Sequence, residues 1–211
     1  MSDLFSALRL PIPALPAGMV LLRRRADPAA LWPVIQGLAA QSPFRFMTTK
    51  RGGTMAAAMT SAGACGWVSD ARGYRYESRD PLTGQPWPAM PKAFAALAAD
   101  AAAEAGFPGF APDACLVNRY AVRAGMGLHR DGDERDFDQP IVSVSLGLPA
   151  SFLVGGLDKD DKPQAIGLES GDVLVFGGPA RLLYHGIRPV KAGEDPLFGP
   201  FRYNLTFRRA R

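Results

Sequence analysis

Residues 201–208 read FRYNLTFR. Phe201, Tyr203, Leu205 and Phe207 alternate with Arg202, Asn204, Thr206 and Arg208, and successive side chains of an extended chain point to opposite faces. The spacing predicts a strand with one apolar face for the core and one polar face carrying two guanidinium groups. Upstream of it, DACLVNRYAV (113–122), IVSVSLGL (141–148), SFLVGG (151–156), DVLVFGG (172–178) and RLLYHGI (181–187) are short, β-branched or aromatic, and punctuated by Gly and Pro. Six such strands at this spacing predict a double-sheet sandwich, of which the jelly roll is the expected form.

The first half reads differently. DPAALWPVIQGLAAQ (27–41) is a helical pattern with Asp27 placed to cap, Pro28 at the first turn and Pro33 inside. MPKAFAALAADAAAEAG (90–106) predicts a second helix, opened by Pro91 and closed by Gly106. Residues 43–90 carry Gly, Thr, Met and aromatics without a clean period, which predicts a binding lid or an irregular hairpin region. Helices early and strands late give an α+β, mainly β class. One domain is expected over 1–211: helices and lid to about residue 112, then the jelly-roll core from about 113.

Of the 211 residues, 47% are hydrophobic and 21% charged, which suits a globular core and excludes general disorder. Cys65 and Cys115 stand far apart, so neither a disulfide framework nor a zinc cluster is expected, and a reducing cytoplasmic setting is. No run is long enough to span a bilayer, so no membrane association is expected. The start, MSDLFSALRLPIPALPAG, opens on an acid and is broken by Pro11, Pro13 and Pro16, unlike a secretion signal. The net charge of +4 leans toward anionic partners such as nucleic acid.

Only two histidines occur, His129 in LHRDGDE (128–134) and His185 in LLYHGI. His129 and Asp131 are two apart and share a face of a strand, so both can reach one ion. Two imidazoles and a carboxylate with the opposite face open is an arrangement used for ferrous iron in oxygen chemistry. Arg202 and Arg208 lie about 20 Å apart along an extended strand, too far to grip one carboxylate. One guanidinium suits the far carboxylate of a dicarboxylic co-substrate and the other the metal end.

Taken together, NRYAVRAGMGLHRDGDE, PIVSVSLGLPASF, GDVLVFGG, RLLYHGI and RYNLTFR resemble the AlkB family of iron(II)- and 2-oxoglutarate-dependent dioxygenases, which repair alkylated nucleobases. QSPFR, TMAAAMTSAGACGW, GYRYE, DPLTGQPWPAMP and FAPDACLVNRY extend the resemblance over nearly the whole chain. It implies a double-stranded β-helix with a nucleotide-recognition lid. His129, Asp131 and His185 would hold Fe(2+), and Asn118, Tyr120, Arg202, Asn204 and Arg208 would hold 2-oxoglutarate, with Arg208 on the far carboxylate. O2 would complete the reaction, in which the N-alkyl group of a base is hydroxylated and lost as formaldehyde.

The implied substrates are 1-methyladenine and 3-methylcytosine in single-stranded DNA, with double-stranded DNA or RNA as further partners and no obligate protein partner for a monomer. Such bases are cations, and DGDERDFD (131–138) holds five acids and one arginine, an anionic wall suited to them. Asp133 would contact the base, Trp67 would stack it against the His185 ring, and Met59, Tyr74 and Lys159 would complete the substrate contacts. Tyr76 is expected in the core, and Lys50, Arg51, Arg72 and Arg75 are candidates for phosphates. Gly132, Gly53 and Lys159 depart from the family pattern at substrate contacts. The alternative is a dioxygenase of the same class acting on a protein or small molecule.

Overall fold

The computed structural model describes residues 14–211; the reading of residues 1–13 lies outside them. Among the described residues, thirteen strands and two α-helices are arranged as two facing sheets with a hairpin at the open end. The seven-stranded sheet has the order β1-β11-β8-β13-β6-β3-β2. It is built from β1 (Met19–Leu22), β11 (Val173–Phe176), β8 (Ile141–Gly147), β13 (Phe201–Arg208), β6 (Ala114–Ala121), β3 (Thr54–Gly63) and β2 (Arg45–Thr48). The four-stranded sheet runs β10 (Gln164–Leu168), β9 (Ala150–Val154), β12 (His185–Ile187), β7 (Met126–His129). This is the jelly-roll arrangement expected from the strand spacing.

Both predicted helices form. In α1 (Pro28–Gln41) the Asp27 carboxylate accepts from the amides of Ala29 and Ala30, satisfying donors that have no partner within the helix. Leu31, Ile35 and Leu38 form its buried stripe. Helix α2 (Lys92–Glu104) ends as foreseen at Gly106, whose φ of 92° suits a residue without Cβ. The amides of Gly106 and Phe107 donate back to Ala103 and Ala102, a Schellman closure. Both helices cover the outer face of the large sheet, packing on Val117, Val142, Val144, Leu205 and Phe207. At about 25 cal/mol per Å² of apolar surface removed from water, this face supplies much of the driving force for folding. Among the described residues no helix is long and apolar enough to cross a membrane.

The alternation in 201–208 divides as read. Tyr203, Leu205 and Phe207 join the helix-side core, while the polar set turns toward the second sheet. The region 43–90 is more regular than its composition predicts. β2 and β3 extend the large sheet, β3 pairing with β6 from Ala58↔Arg119 to Gly63↔Ala114. From Ala57 to Ala62 every residue of β3 is buried. A strand covered on both faces has no polar face to alternate with, so its period was invisible. Only β4 (Gly66–Asp70) and β5 (Gly73–Glu77) form the expected separate hairpin.

Candidate active site

β12 pairs antiparallel with β7 so that His185 stands opposite His129. Gly186 makes this possible: a Cβ there would lie 2.7 Å from the Met126 carbonyl oxygen. With the strands this close, the imidazole centroids are 4.5 Å apart. Asp131 lies just beyond the end of β7. Its Oδ1 is 3.8 Å from His129 Nε2 and its Oδ2 is 3.8 Å from His185 Nε2. One donor atom from each residue lies within 4.8 Å of the others, so a single ion can touch all three. Each ring donates Nδ1–H to a main-chain oxygen, His129 to Gly127 at 2.9 Å and His185 to Leu183 at 3.0 Å. These bonds leave Nε2 as the bare lone pair and orient it. Burial pushes the His185 imidazole down to about 4, which keeps it neutral and able to ligate.

The opposite wall is the inner face of the large sheet. Arg202 stands across from Tyr120, and Asn204 across from Asn118. Thr206 donates to Asn204 Oδ1 at 2.7 Å, and the Asn204 amide donates to Ser143 Oγ at 2.8 Å. Arg202 is 1% exposed. Its Nη2 donates to Ser145 Oγ at 3.0 Å, while Nε and Nη1 have no protein partner, nor has Asn118 Oδ1. Unmet N–H groups on a buried guanidinium are costly, and a carboxylate satisfies them bidentately. The two walls enclose about 370 Å³, lined also by Met59, Trp67 and Tyr74.

Arg208 does not occupy the far end. Its Nη2 and Nε donate to Asp131 Oδ2 at 2.6 and 3.1 Å. Arg208, foreseen on the far carboxylate, stands instead at the His-Asp-His set, and Arg202 is the guanidinium left with N–H groups unpartnered. The strand runs across the site, bringing residue 208 beneath the metal set while residue 202 lies deep beside Tyr120. Burial opposes the charge on Asp131, but Arg208 and the two imidazoles outweigh it and hold the carboxyl well below its usual range.

Two groups overlooked in the sequence support this end. Glu134 is 7% exposed and accepts from the Tyr76 hydroxyl at 2.6 Å and from Arg181 at 2.9 Å. Arg181 also donates to the main-chain oxygens of Asp131 and Gln139, at 2.9 and 3.1 Å. It thereby pins both ends of the acidic loop. Within a run of five acids nothing marked Glu134 as the buried one. As expected, Tyr76 packs inward, against Cys65, Ala114 and Ala210.

The hairpin carries Trp67 and Tyr74, stacked with centroids 5.4 Å apart and planes 25° from parallel. Trp67 Nε1 donates to Asp133 Oδ2 at 2.8 Å. The His185 ring packs near-parallel to Phe152, with centroids 5.7 Å apart, and Phe176 meets it edge-on. His129, with 37% of its side chain exposed, presents the open ring of the pair. Lys159 is exposed in the β9–β10 connection and does not line the cavity. Arg72 and Arg75 are engaged by Asp70, and Arg75 also by Glu77. Lys50 and Arg51 stay exposed in the β2–β3 turn. A Cβ on Gly132 would meet nothing within 4 Å, so packing does not demand that glycine.

Residues 18–208 match the family described as the 2OG-Fe(II) oxygenase superfamily. Alpha-ketoglutarate-dependent dioxygenase AlkB of Salmonella typhimurium is 56% identical over 92% of this chain and 90% of its own. The Escherichia coli protein of the same name is 53% identical over 100% of this chain and 98% of its own. This chain belongs to the AlkB family of the 2OG-Fe(II) oxygenase superfamily. Among solved structures, OsALKBH1 superposes with a TM-score of 0.80 at 32% identity, covering 94% of this chain and all of that one. The AlkB-family chain is an iron(II)- and 2-oxoglutarate-dependent dioxygenase. Its residues fit both groups: a His-Asp-His set for iron and unpartnered guanidinium N–H groups for a carboxylate.

Proposed function

We propose that this enzyme, acting as one dioxygenase domain over 1–211, removes N-linked methyl groups from bases such as 1-methyladenine and 3-methylcytosine in single-stranded DNA. One observation carries the reading. At the cavity mouth a flat indole and a carboxylate, Trp67 and Asp133, are joined by a hydrogen bond beside His129 and Asp131. A planar cationic base suits that pair: it can stack on the indole while the carboxylate favours its charge. Reaching the base requires a single strand or a flipped nucleotide.

Iron and 2-oxoglutarate, when bound, supply the oxidation of the methyl group with O2. The chain's part is placement. His129, Asp131 and His185 would hold the ion, Arg202 with Tyr120 and Asn118 would take the far carboxylate, and Arg208, which holds Asp131, would meet the near one. The buried walls exclude water, and Asp133 orients the alkylated ring edge toward the metal set. Lys159 can meet only parts of a substrate outside the cavity. Action as a monomer in the cytoplasm, and on double-stranded DNA or RNA, belongs to the same reading.

The test is a panel of oligonucleotides carrying 1-methyladenine, 3-methylcytosine or a neutral lesion, incubated with iron, 2-oxoglutarate and O2. Formaldehyde and unmodified base should appear, fastest for the cationic lesions. Succinate formation without base repair would favour the alternative, a protein or small-molecule substrate.

A further inference from the structure

Beside the base pocket lies a second cleft of about 220 Å³, lined by Tyr74, Arg75, Tyr76, Asp133, Arg135, Ala210 and Arg211. Tyr74 and Asp133 line both cavities, so the two share a wall. A chain leaving the first past Tyr74 would meet the second. The charges in the cleft can be sorted. Arg75 is neutralised by Asp70 at 2.8 Å and Glu77 at 2.7 Å. Asp133 accepts from the neutral Trp67 indole N–H and so keeps its negative charge, at the wall shared with the base pocket. Arg135 and Arg211 are exposed, and among the described residues neither has a carboxylate within ion-pair distance. The Arg211 guanidinium makes one long bond, Nη2 to the Tyr76 carbonyl oxygen at 3.5 Å, which leaves its charge unmatched.

Their backbone is fixed even though the side chains carry no counter-charge. The Arg135 amide donates to Ala210 O, and the Ala210 and Arg211 amides donate to Asp113 at 2.6 and 3.0 Å. The acidic loop after the metal aspartate and the chain beyond β13 are thereby held together as the two banks of the cleft. Two arginines without ion-pair partners, against the single carboxylate of Asp133, leave this polar cleft beside the stacking pocket with a positive balance suited to an anion. Its position gives the anion's identity.

We infer that this second cleft takes the backbone phosphate of the nucleotide flanking the flipped base, with Arg135 and Arg211 as its ligands and Tyr74 as the partition between base and backbone. The inference rests on the nucleic-acid reading of the base pocket. Phosphate contacts set register and affinity without reading sequence, so the cleft explains how a pocket specific for one damaged ring engages a polymer. It also supplies positive charge on the loop where Gly132 offers none.

The experiment uses the full chain and a single-stranded oligonucleotide with one central 1-methyladenine. Binding is followed by fluorescence anisotropy across a salt series, alongside repair kinetics, for the wild type, Arg135→Gln, Arg211→Gln and the double variant. Removing either arginine should flatten the log Kd against log salt slope by about 0.7 on single strands, and the double variant should flatten it by twice that. The KM for the oligonucleotide should rise roughly tenfold, as expected for about 1.4 kcal/mol, with kcat and the 2-oxoglutarate KM unchanged. Variants that bind with the wild-type slope and KM would overturn the cleft assignment whatever the repair rate. A rise in the 2-oxoglutarate KM would also overturn it, since the arginines would then be shaping the catalytic cavity. A wild type that binds the oligonucleotide through these arginines yet repairs nothing would sink the demethylase reading and leave the cleft standing.

Discussion

Arg208 Nη2 lies 2.6 Å from Asp131 Oδ2, so β13 holds the carboxylate of the His-Asp-His set. With 8% and 13% of their side chains exposed, the two form a largely buried ion pair. Removing one partner of such a pair destabilises by about 3–5 kcal/mol, because the remaining charge stays buried and unpaired. Arg208→Ala should lower urea stability by that order and weaken binding of Co(II) as an iron surrogate. Arg208→Lys, with charge but no fork, should fall between. Urea curves for Arg208→Ala that overlay the wild type would show that the pair carries no stability.

Arg202 makes a separable prediction. It sits across from Tyr120 and keeps two N–H positions without protein partners. Burial lowers its pKa to about 10, leaving it charged at neutral pH. Arg202→Ala should raise the KM for 2-oxoglutarate by an amount on the order of 2–5 kcal/mol, with Co(II) binding retained. Tyr120→Phe should give a smaller rise. Arg208→Ala should instead impair metal binding. If the two arginine variants showed the same pattern, the division of the site into a metal end and a far end would be wrong.

The sequence carried the donor set because its logic is local in part: His129 and Asp131 share a spacing, and FRYNLTFR shows its two faces by alternation. What it lacked was register. That His129 faces His185, or that Arg202 faces Tyr120, is a matter of long-range strand pairing, and no local pattern encodes it. Arg208 was assigned the wrong end of the site for the same reason. β3 was missed because a strand buried on both faces does not alternate. Glu134 and Arg181 were missed because burial, not residue type, separates them from ordinary surface charges.

Glu134 joins the lid hairpin to the metal end by accepting from Tyr76 and Arg181, and it lies 3.2 Å from Arg208 Nε as an ion pair. Glu134→Gln keeps the volume but places an amide NH2 among donors. Leaving buried donors unmet costs about 1–3 kcal/mol. The variant should melt lower, by roughly 2–4 °C per kcal/mol. Amide hydrogen exchange should quicken in the β4–β5 hairpin and the 131–139 loop. Unchanged exchange in the hairpin would show that Tyr76 is held by its packing alone.

Gly186 tests the strand approach that brings the imidazoles together. A Cβ there would be 2.7 Å from Met126 O and 3.1 Å from the main chain of Gly127, so β7 must move away. Gly186→Ala should lower Co(II) affinity at least tenfold while Gly167→Ala, at a strand position with open space, should leave it unchanged. Equal affinities in both variants would mean that β7 shifts without disturbing its histidine.

Acid stability should report the pair formed by Asp80 and Arg45 at the base of the lid. Burial alone would raise the Asp80 pKa, but the Arg45 hydrogen bonds, one of them Nη2 to Oδ1 at 2.6 Å, outweigh it and the net shift is downward. A carboxyl with a lowered folded-state pKa contributes stability that is fully present above its unfolded value of about 3.9. That contribution is lost as pH falls through the lower folded value. Asp80→Asn removes the titration, so its stability deficit against the wild type should be constant above about pH 5 and shrink as the pH drops below about 4. A deficit that stays constant down to the folded-state pKa would show that Asp80 acts through its shape and hydrogen bonds rather than its charge.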